Sequence, residues 1–257
     1  MTMTTPLRRH PFPMVARLRH SLVLAWALPH ELLTPLLPPG LRVDRYRDWG
    51  FVAIAMVQVS QLRPAGLPPW LGDDPFLTGY RIFVIHRGPD GRHRRGLYIL
   101  RSDTDRRALA VGGNLLTRYN WRRSVIDAEV GDDRLEVRIR TLGGEADLHV
   151  EADLRGPAQL PPGSPFTSAA DARRFAGPLP WTFDHEPETG SIVMVLGQRS
   201  QWEPRPVAVT VRTCTFFDTM VAKGALVGAE PVLANAFHVA GLDYRWRRGV
   251  RVPAVSP

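Results

Sequence analysis

The clearest pattern of hydrophobic and polar positions lies in the middle of the chain. Residues 124–130, 134–141 and 145–154 alternate apolar with polar side chains, and the gaps at 131–133 and 143–144 hold only Gly and Asp. Alternation with a period of two is typical of strands that bury one face, and short Gly- and Asp-containing gaps are typical of hairpins. We therefore predict a three-stranded antiparallel meander with one face towards water.

Shorter apolar runs predict further strands at residues 21–28, 41–44, 51–60, 80–86, 96–101, 207–215 and 239–246. The run at 51–60 is apolar almost throughout, which indicates burial on both faces. The runs at 80–86 and 96–101 flank a glycine-containing turn and so favour a hairpin. Helix-compatible stretches are short and lie at residues 29–37, 105–119, 168–175 and 216–225.

Strands thus outnumber helices, and 24 prolines and 22 glycines indicate many turns. We expect a β-rich α+β fold built on a closed or nearly closed antiparallel sheet. A length of 257 residues is compatible with one such unit. We expect a single domain over 1–257, with an ordered core at about 14–250 and loose termini.

The formal net charge of +8 raises the question of an anionic macromolecule as partner. Lys223 is the only lysine, and the arginines are scattered along the chain in ones and twos. Codon bias in a GC-rich genome explains this pattern better than selection for phosphate contacts. We therefore expect no specific nucleic-acid partner.

Cysteine usage and hydropathy bear on the compartment. Cys214 is the only cysteine, so no internal disulfide is expected and a reducing compartment is favoured. The apolar run at 21–28 follows several arginines, yet it is too short and wrongly ordered for a signal peptide. No run approaches the roughly 18 apolar residues of a membrane span. We expect a cytoplasmic protein without membrane contact, and a homo-oligomer stays open.

Sequence motifs for cofactors and metals are missing. The chain has no phosphate-binding loop, dinucleotide fingerprint, nucleophile elbow, H-E-x-x-H or C-x-x-C. Asp184, His185 and Glu186 are adjacent and are interpreted as solvated loop residues rather than metal ligands. Cys214 is interpreted as a buried small hydrophobe rather than a nucleophile. We therefore predict neither a cofactor nor a metal.

Four segments carry a resemblance to a known family. They are residues 28–41, reading LPHELLTPLLPPGL, then GLPP at 66–69, GYR at 79–81 and GLYIL at 96–100. Over roughly residues 20–250 the chain resembles the bacterial YqjF-like family of unknown function, DUF2071. That family is similar to the acetoacetate decarboxylase-like superfamily. The resemblance implies an antiparallel cone or barrel with its site inside.

The decarboxylases of that superfamily use a lysine that forms a Schiff base, with a second lysine beside it. The matching stretch here is residues 110–123, AVGGNLLTRYNWRR. The lysine positions hold Trp121 and Arg122, or Arg122 and Arg123. Arginine stays protonated and forms no imine, so the decarboxylase mechanism is not expected to carry over.

An arginine that faces an enclosed pocket suits bidentate binding of a carboxylate or phosphate. Arg81 and Arg122 are candidates for this role, with Tyr119 and Trp121 as neighbouring ligand contacts or packing residues. Neighbouring strand residues point to opposite sides, so at most one of Arg122 and Arg123 faces inward, and we favour Arg122. No catalytic residue is identified.

The resulting hypothesis is a small-molecule-binding protein, or an enzyme without a Schiff base, that takes a small anionic organic compound in an interior pocket. One alternative is a basic interaction module that binds an anionic partner through surface arginines. Another is an imine-forming enzyme that uses Lys223. An apolar cavity that contains one or two arginines would favour the first reading.

Overall fold

Strands dominate the fold. The computed structural model describes residues 7–88, 90–176 and 179–254. Within these residues the strands are β1 (Met14–Pro29), β2 (Leu41–Val43), β3 (Trp49–Pro64), β4 (Phe76–Arg87), β5 (His93–Thr104), β6 (Trp121–Val130), β7 (Arg134–Thr141), β8 (Leu148–Asp153), β9 (Trp181–Glu186), β10 (Ser191–Arg199), β11 (Arg205–Pro206), β12 (Ala208–Cys214), β13 (Val232–Trp246) and β14 (Val250–Pro253). The strand-rich character predicted from the sequence is confirmed.

The helices are short, as predicted. They are α1 (His30–Leu33), α2 (Arg107–Leu116), α3 (Ala169–Phe175) and α4 (Thr215–Ala222), with single 3-10 turns at Thr34–Leu36 and Pro69–Leu71. Ser168 caps α3, because its side chain accepts a hydrogen bond from the backbone N–H of Asp171. Along the chain, each helix lies between two strands of the sheet.

Seven strands close into a ring. The order around it is β4, β5, β9, β10, β13, β1 and β3, and β3 pairs with β4 again. The junction between β5 and β9 is parallel, with Gly96 opposite Trp181. The predicted antiparallel sheet is confirmed for most neighbours, and the parallel pairing of β5 with β9 makes the sheet a mixed one.

A four-stranded extension, ordered β6, β7, β8 and β12, leaves the ring at β5. The predicted meander is confirmed as β6 to β8, with antiparallel pairing throughout. Its first strand joins β5 in parallel, with Ser102 opposite Trp121. The largest hydrophobic core lies between ring and extension, where Ile54 and Tyr80 of the ring share one cluster with Val137 and Leu148.

On β3 and β4, the inner wall of the ring includes a row of small residues. On β3, Ile54 and Met56 belong to the core shared with the extension, whereas Ala53 and Ala55 face the inside of the ring. Ala55 pairs with Gly79 of β4, which continues the row of small residues. Since alternate residues of a strand point to opposite faces, this pattern fills the outside of the ring and leaves space within it.

The segment ahead of β1 is attached to the ring. The Arg9 guanidinium lies 2.8 Å from the Glu186 carboxylate at the end of β9. The backbone N–H of His10 donates to the Leu116 carbonyl at 2.8 Å, at the end of α2. These contacts hold residues 10–12 against the space inside the ring.

Candidate functional site

A cavity of about 330 Å3 lies within the ring, and all seven ring strands contribute to its wall. Most of the wall is aliphatic or aromatic, and helix α2 and residues 10–12 add to it. Its polar side chains are few. Among the described residues, the lining contains two arginines and a histidine but no aspartate or glutamate.

Arg81 of β4 places a guanidinium in this cavity. Its Nε is buried and has no hydrogen-bond partner in the described part of the chain. Burial lowers the pKa of Arg81 from its usual value, and the nearby hydroxyls of Tyr244 and Tyr119 oppose that effect. The group stays charged, because even a lowered arginine pKa lies far above neutral pH. The described residues of the wall therefore give the cavity a positive charge and no carboxylate to pair with it.

Arg199, at the end of β10, is the second cation of the wall. Its guanidinium carbon lies 4.2 Å from the centre of the Trp202 ring and 5.7 Å from that of Tyr244. Within the described residues it forms no ion pair with a carboxylate. Burial lowers its pKa as well. Contact with aromatic faces compensates part of the cost of burying this charge.

Unpaired polar atoms converge on the same cavity. Six buried side-chain nitrogen or oxygen atoms of the described residues lack a partner, and four of the six belong to residues of this wall. The four are His10 Nδ1, Thr78 Oγ1, Arg81 Nε and Trp202 Nε1. Leaving a buried donor or acceptor unpaired costs about 1–3 kcal/mol. Such a concentration in one cavity indicates a site prepared for a polar ligand.

Tyr119 and Trp121, predicted as candidate contacts, both line the cavity. Tyr119 is buried, and burial raises its pKa far above the usual range, with a further contribution from the Asp184 carboxylate. The Trp121 indole N–H donates to Thr117 Oγ1 at 3.2 Å. Trp121 packs so closely on Gly113 that a β-carbon there would lie 2.5 Å from the indole ring.

Arg122, the fourth candidate, lies apart from the cavity. Its guanidinium pairs with the Glu145 carboxylate, and its side chain is 41% exposed. The reason is strand alternation: Trp121 at the start of β6 faces the cavity, so Arg122 points away. The inward-facing residue at the positions compared with the lysine pair is thus a tryptophan.

Lys223 also lies outside the cavity wall. It follows the last residue of α4, its side chain is 57% exposed, and its Nζ lies 3.6 Å from a Glu145 oxygen. Cys214 is half-buried, and burial raises the pKa of its thiol to about 11. Neither residue meets the requirements of a nucleophile in this cavity.

The Asp184-His185-Glu186 segment belongs to strand β9 rather than to a solvated loop, so that interpretation is wrong. Asp184 accepts hydrogen bonds from the backbone N–H groups of Arg118 and His185 at 3.0 and 2.8 Å. Burial raises the pKa of Asp184 to about 7 despite these bonds and the nearby charge of Arg118. Glu186 is paired with Arg9.

Three other residues are spaced closely enough to bind one metal ion. The ligand atoms of Glu136, His149 and Glu151 lie within 4.8 Å of one another on β7 and β8. Arg134 and Arg138 already pair with the Glu136 carboxylate. These arginines neutralise the negative charge of Glu136 that would attract a metal cation. The carboxylate is therefore already paired within the protein.

Comparison with solved structures places the chain in a known fold. It is similar to acetoacetate decarboxylase from Legionella pneumophila, with a TM-score of 0.62 and 12% identity over 94% of this chain and 88% of that one. An acetoacetate decarboxylase-like enzyme from Sphingomonas wittichii has a TM-score of 0.59 and 15% identity, over 96% and 94% of the two chains. The predicted decarboxylase-like fold is confirmed.

A third similar structure is the enduracididine biosynthesis enzyme MppR complexed with pyruvate, with a TM-score of 0.55 and 14% identity over 94% of this chain and 90% of that one. Proteins of this fold therefore include enzymes and binders of small molecules. A search of curated protein sequences gives no match. In the described residues, none of the helices has the length and apolar character to cross a membrane.

The family comparison agrees with the resemblance of the LPHELLTPLLPPGL segment. The model of DUF2071, described as an uncharacterized conserved protein, matches residues 15–238. This match covers strands of the ring and the whole extension, including Arg81, Tyr119 and Trp121. The chain belongs to the DUF2071 family.

Proposed function

We propose that the protein binds a small organic carboxylate inside the ring, with Arg81 as the group that holds the carboxylate. The unpaired Arg81 guanidinium in an acid-free cavity is the observation that supports this most strongly. A guanidinium and a carboxylate form two parallel hydrogen bonds in a fixed planar geometry. The ligand would supply the counter-ion that the protein omits.

The energetic argument rests on burial. Removing an ion from water costs several kcal/mol unless it finds a partner. Two surface arginines give the contrast: Arg94 lies 2.6 Å from an Asp90 oxygen, and Arg155 lies 2.6 Å from an Asp153 oxygen. Arg81 is a costly exception among these groups, and a bound anion would remove the cost.

Size and wall chemistry fit a small molecule. A volume of about 330 Å3 is at the lower end of ligand pockets and holds on the order of ten water-sized atoms. The aliphatic and aromatic wall suits the carbon skeleton of an organic acid, and His10 offers a hydrogen bond beside it. Any reaction there would proceed without an imine, since Lys223 lies outside the wall.

The experiment is a thermal-shift screen of small mono- and dicarboxylates, followed by calorimetry of the best ligand on two variants. Arg81→Gln should weaken binding at least tenfold, because a buried charge pair is worth more than 1.4 kcal/mol. Arg87→Gln is the matched control, since Arg87 is exposed on the same strand. Absence of stabilisation by every carboxylate, or equal binding to the two variants, would overturn the proposal.

A further inference from the structure

We infer that the ligand carries two anionic groups, one held by Arg81 and the other by Arg199 at the opposite wall of the cavity. This inference rests on the proposed function and makes it more specific. It assigns the substrate class as small dicarboxylates, or acids with a second anionic group of similar size. It also adds Arg199 as a specificity-determining residue.

The topology supports opposite walls. Arg81 belongs to β4 and Arg199 to β10. In the seven-stranded ring, β5 and β9 separate these strands on one side, and β3, β1 and β13 separate them on the other. Two or three intervening strands in a ring of seven place the two arginines nearly across from each other. A ligand that meets both guanidinium groups has to extend across the cavity.

Arg199 has an unpaired hydrogen-bond donor beside it. Trp202, whose ring contacts Arg199, has a buried indole N–H without a partner. The Arg199 end of the cavity thus offers a charged donor and a neutral one, which suits the two oxygens of a carboxylate.

Tyr244 links the two ends. Its hydroxyl contributes to the electrostatic surroundings of both Arg81 and Arg199, and its ring lies against Arg199. Two like charges in one cavity whose described lining contains no acid repel each other. A monoanion would neutralise only one of them, whereas a dianion leaves the cavity electrically balanced.

Much of the cavity wall is apolar. Its apolar side chains include Val23, Ala55, Val57, Leu77 and Ile99. These side chains offer no hydrogen bonds to the middle of a ligand, so an unsubstituted carbon linker fits this region. Dicarboxylates of five or six carbons, which have nine or ten non-hydrogen atoms, are small enough to enter a cavity of about 330 Å3.

The test compares adipate with two matched monoanions, adipate monoamide and hexanoate, by calorimetry at pH 7 and constant ionic strength. We expect adipate to bind wild-type protein at least tenfold more tightly than the monoamide, which differs only in one charge. Arg199→Gln should reduce that ratio to near one while leaving hexanoate affinity within about twofold. Arg245→Gln, an exposed arginine next to Tyr244, is the control and should preserve the wild-type ratio.

The outcomes separate the inference from the proposed function. Equal affinity of wild-type protein for adipate and its monoamide would overturn the dianion inference, and this reading needs no variant to fold. If monocarboxylates then still bound through Arg81, the proposed function would stand alone. If no carboxylate bound at all, both would fail.

Discussion

The side chain of Arg81 lies directly over the backbone of Gly79. A β-carbon added at Gly79 would come within 2.5 Å of Arg81 Nε, closer than atoms of folded proteins approach. Glycine at this position therefore lets the guanidinium lie along its own strand and reach the cavity. The backbone of Gly79 is not in the left-handed region, so the requirement is one of space rather than of conformation.

This relationship predicts the effect of Gly79→Ala. The new methyl group would displace the guanidinium, so we expect at least tenfold weaker carboxylate binding while the protein still folds. Calorimetry gives the affinity and circular dichroism checks the fold. Gly156→Ala is the control, because nothing lies within 4 Å of the β-carbon there. Unchanged binding by the Gly79 variant would show that the guanidinium position does not matter.

Arg81→Met should stabilise the ligand-free protein. The substitution replaces a guanidinium whose Nε is buried without a partner with an apolar side chain of similar length, and removing such an unsatisfied group gains about 1–3 kcal/mol. For a chain of this size, each kcal/mol raises Tm by roughly 2–4 °C. A melt without ligand measures the effect, and Arg87→Met on the same strand is the comparison. A lower Tm for Arg81→Met would mean that the native protein already satisfies the charge.

Asp184 predicts a pH dependence of stability. Its pKa of about 7 in the folded protein exceeds the usual value of 3.8 because of burial. Between these values the folded state keeps a proton that the unfolded state loses, so the free energy of unfolding falls as pH rises from about 4 to 7. The contribution is complete below pH 4, is lost through pH 7, and amounts to at most about 4 kcal/mol.

Denaturant unfolding at several pH values measures this fall, and Asp184→Asn should flatten it. The substitution also disturbs two backbone hydrogen bonds, which shifts stability by the same amount at every pH. The slope with pH is therefore the informative quantity. A carboxyl carbon resonance of Asp184 that titrates near pH 4 would contradict the account.

The exposed position of Lys223 predicts that no imine forms in the cavity. After incubation with a keto acid and borohydride, the intact mass of the protein should show no adduct on Lys223. Peptide mapping of wild-type protein and Lys223→Ala provides the comparison. A covalent adduct on wild-type protein that disappears in Lys223→Ala would restore the imine alternative.

Local patterns were sufficient for most of the strands, because alternation and turn residues act over a few positions. They could not show that β5 pairs in parallel with β9, since residues 96–98 and 181–183 are far apart in sequence. That pairing closes the ring and creates the cavity. The sequence therefore predicted an interior site but could not show which strands surround it.

The candidate residues show the same limit. Arg81, Tyr119 and Trp121 line the cavity, whereas Arg122 does not, because the direction of each side chain depends on where β6 begins. Arg199 was not among the predicted residues, since it ends a strand whose apolar run lacks alternation. Gly197, two residues before it, makes room for the Tyr244 side chain, because a β-carbon added there would lie 2.0 Å from the Tyr244 hydroxyl oxygen.

The most direct measurement is a crystal structure with a carboxylate that stabilises the protein in the thermal-shift screen. The account predicts density within the ring, with a carboxylate group of the ligand in two hydrogen bonds of about 2.7–2.9 Å to the Arg81 guanidinium. Density for that ligand outside the ring, or inside it with Arg81 still unpaired, would contradict the account.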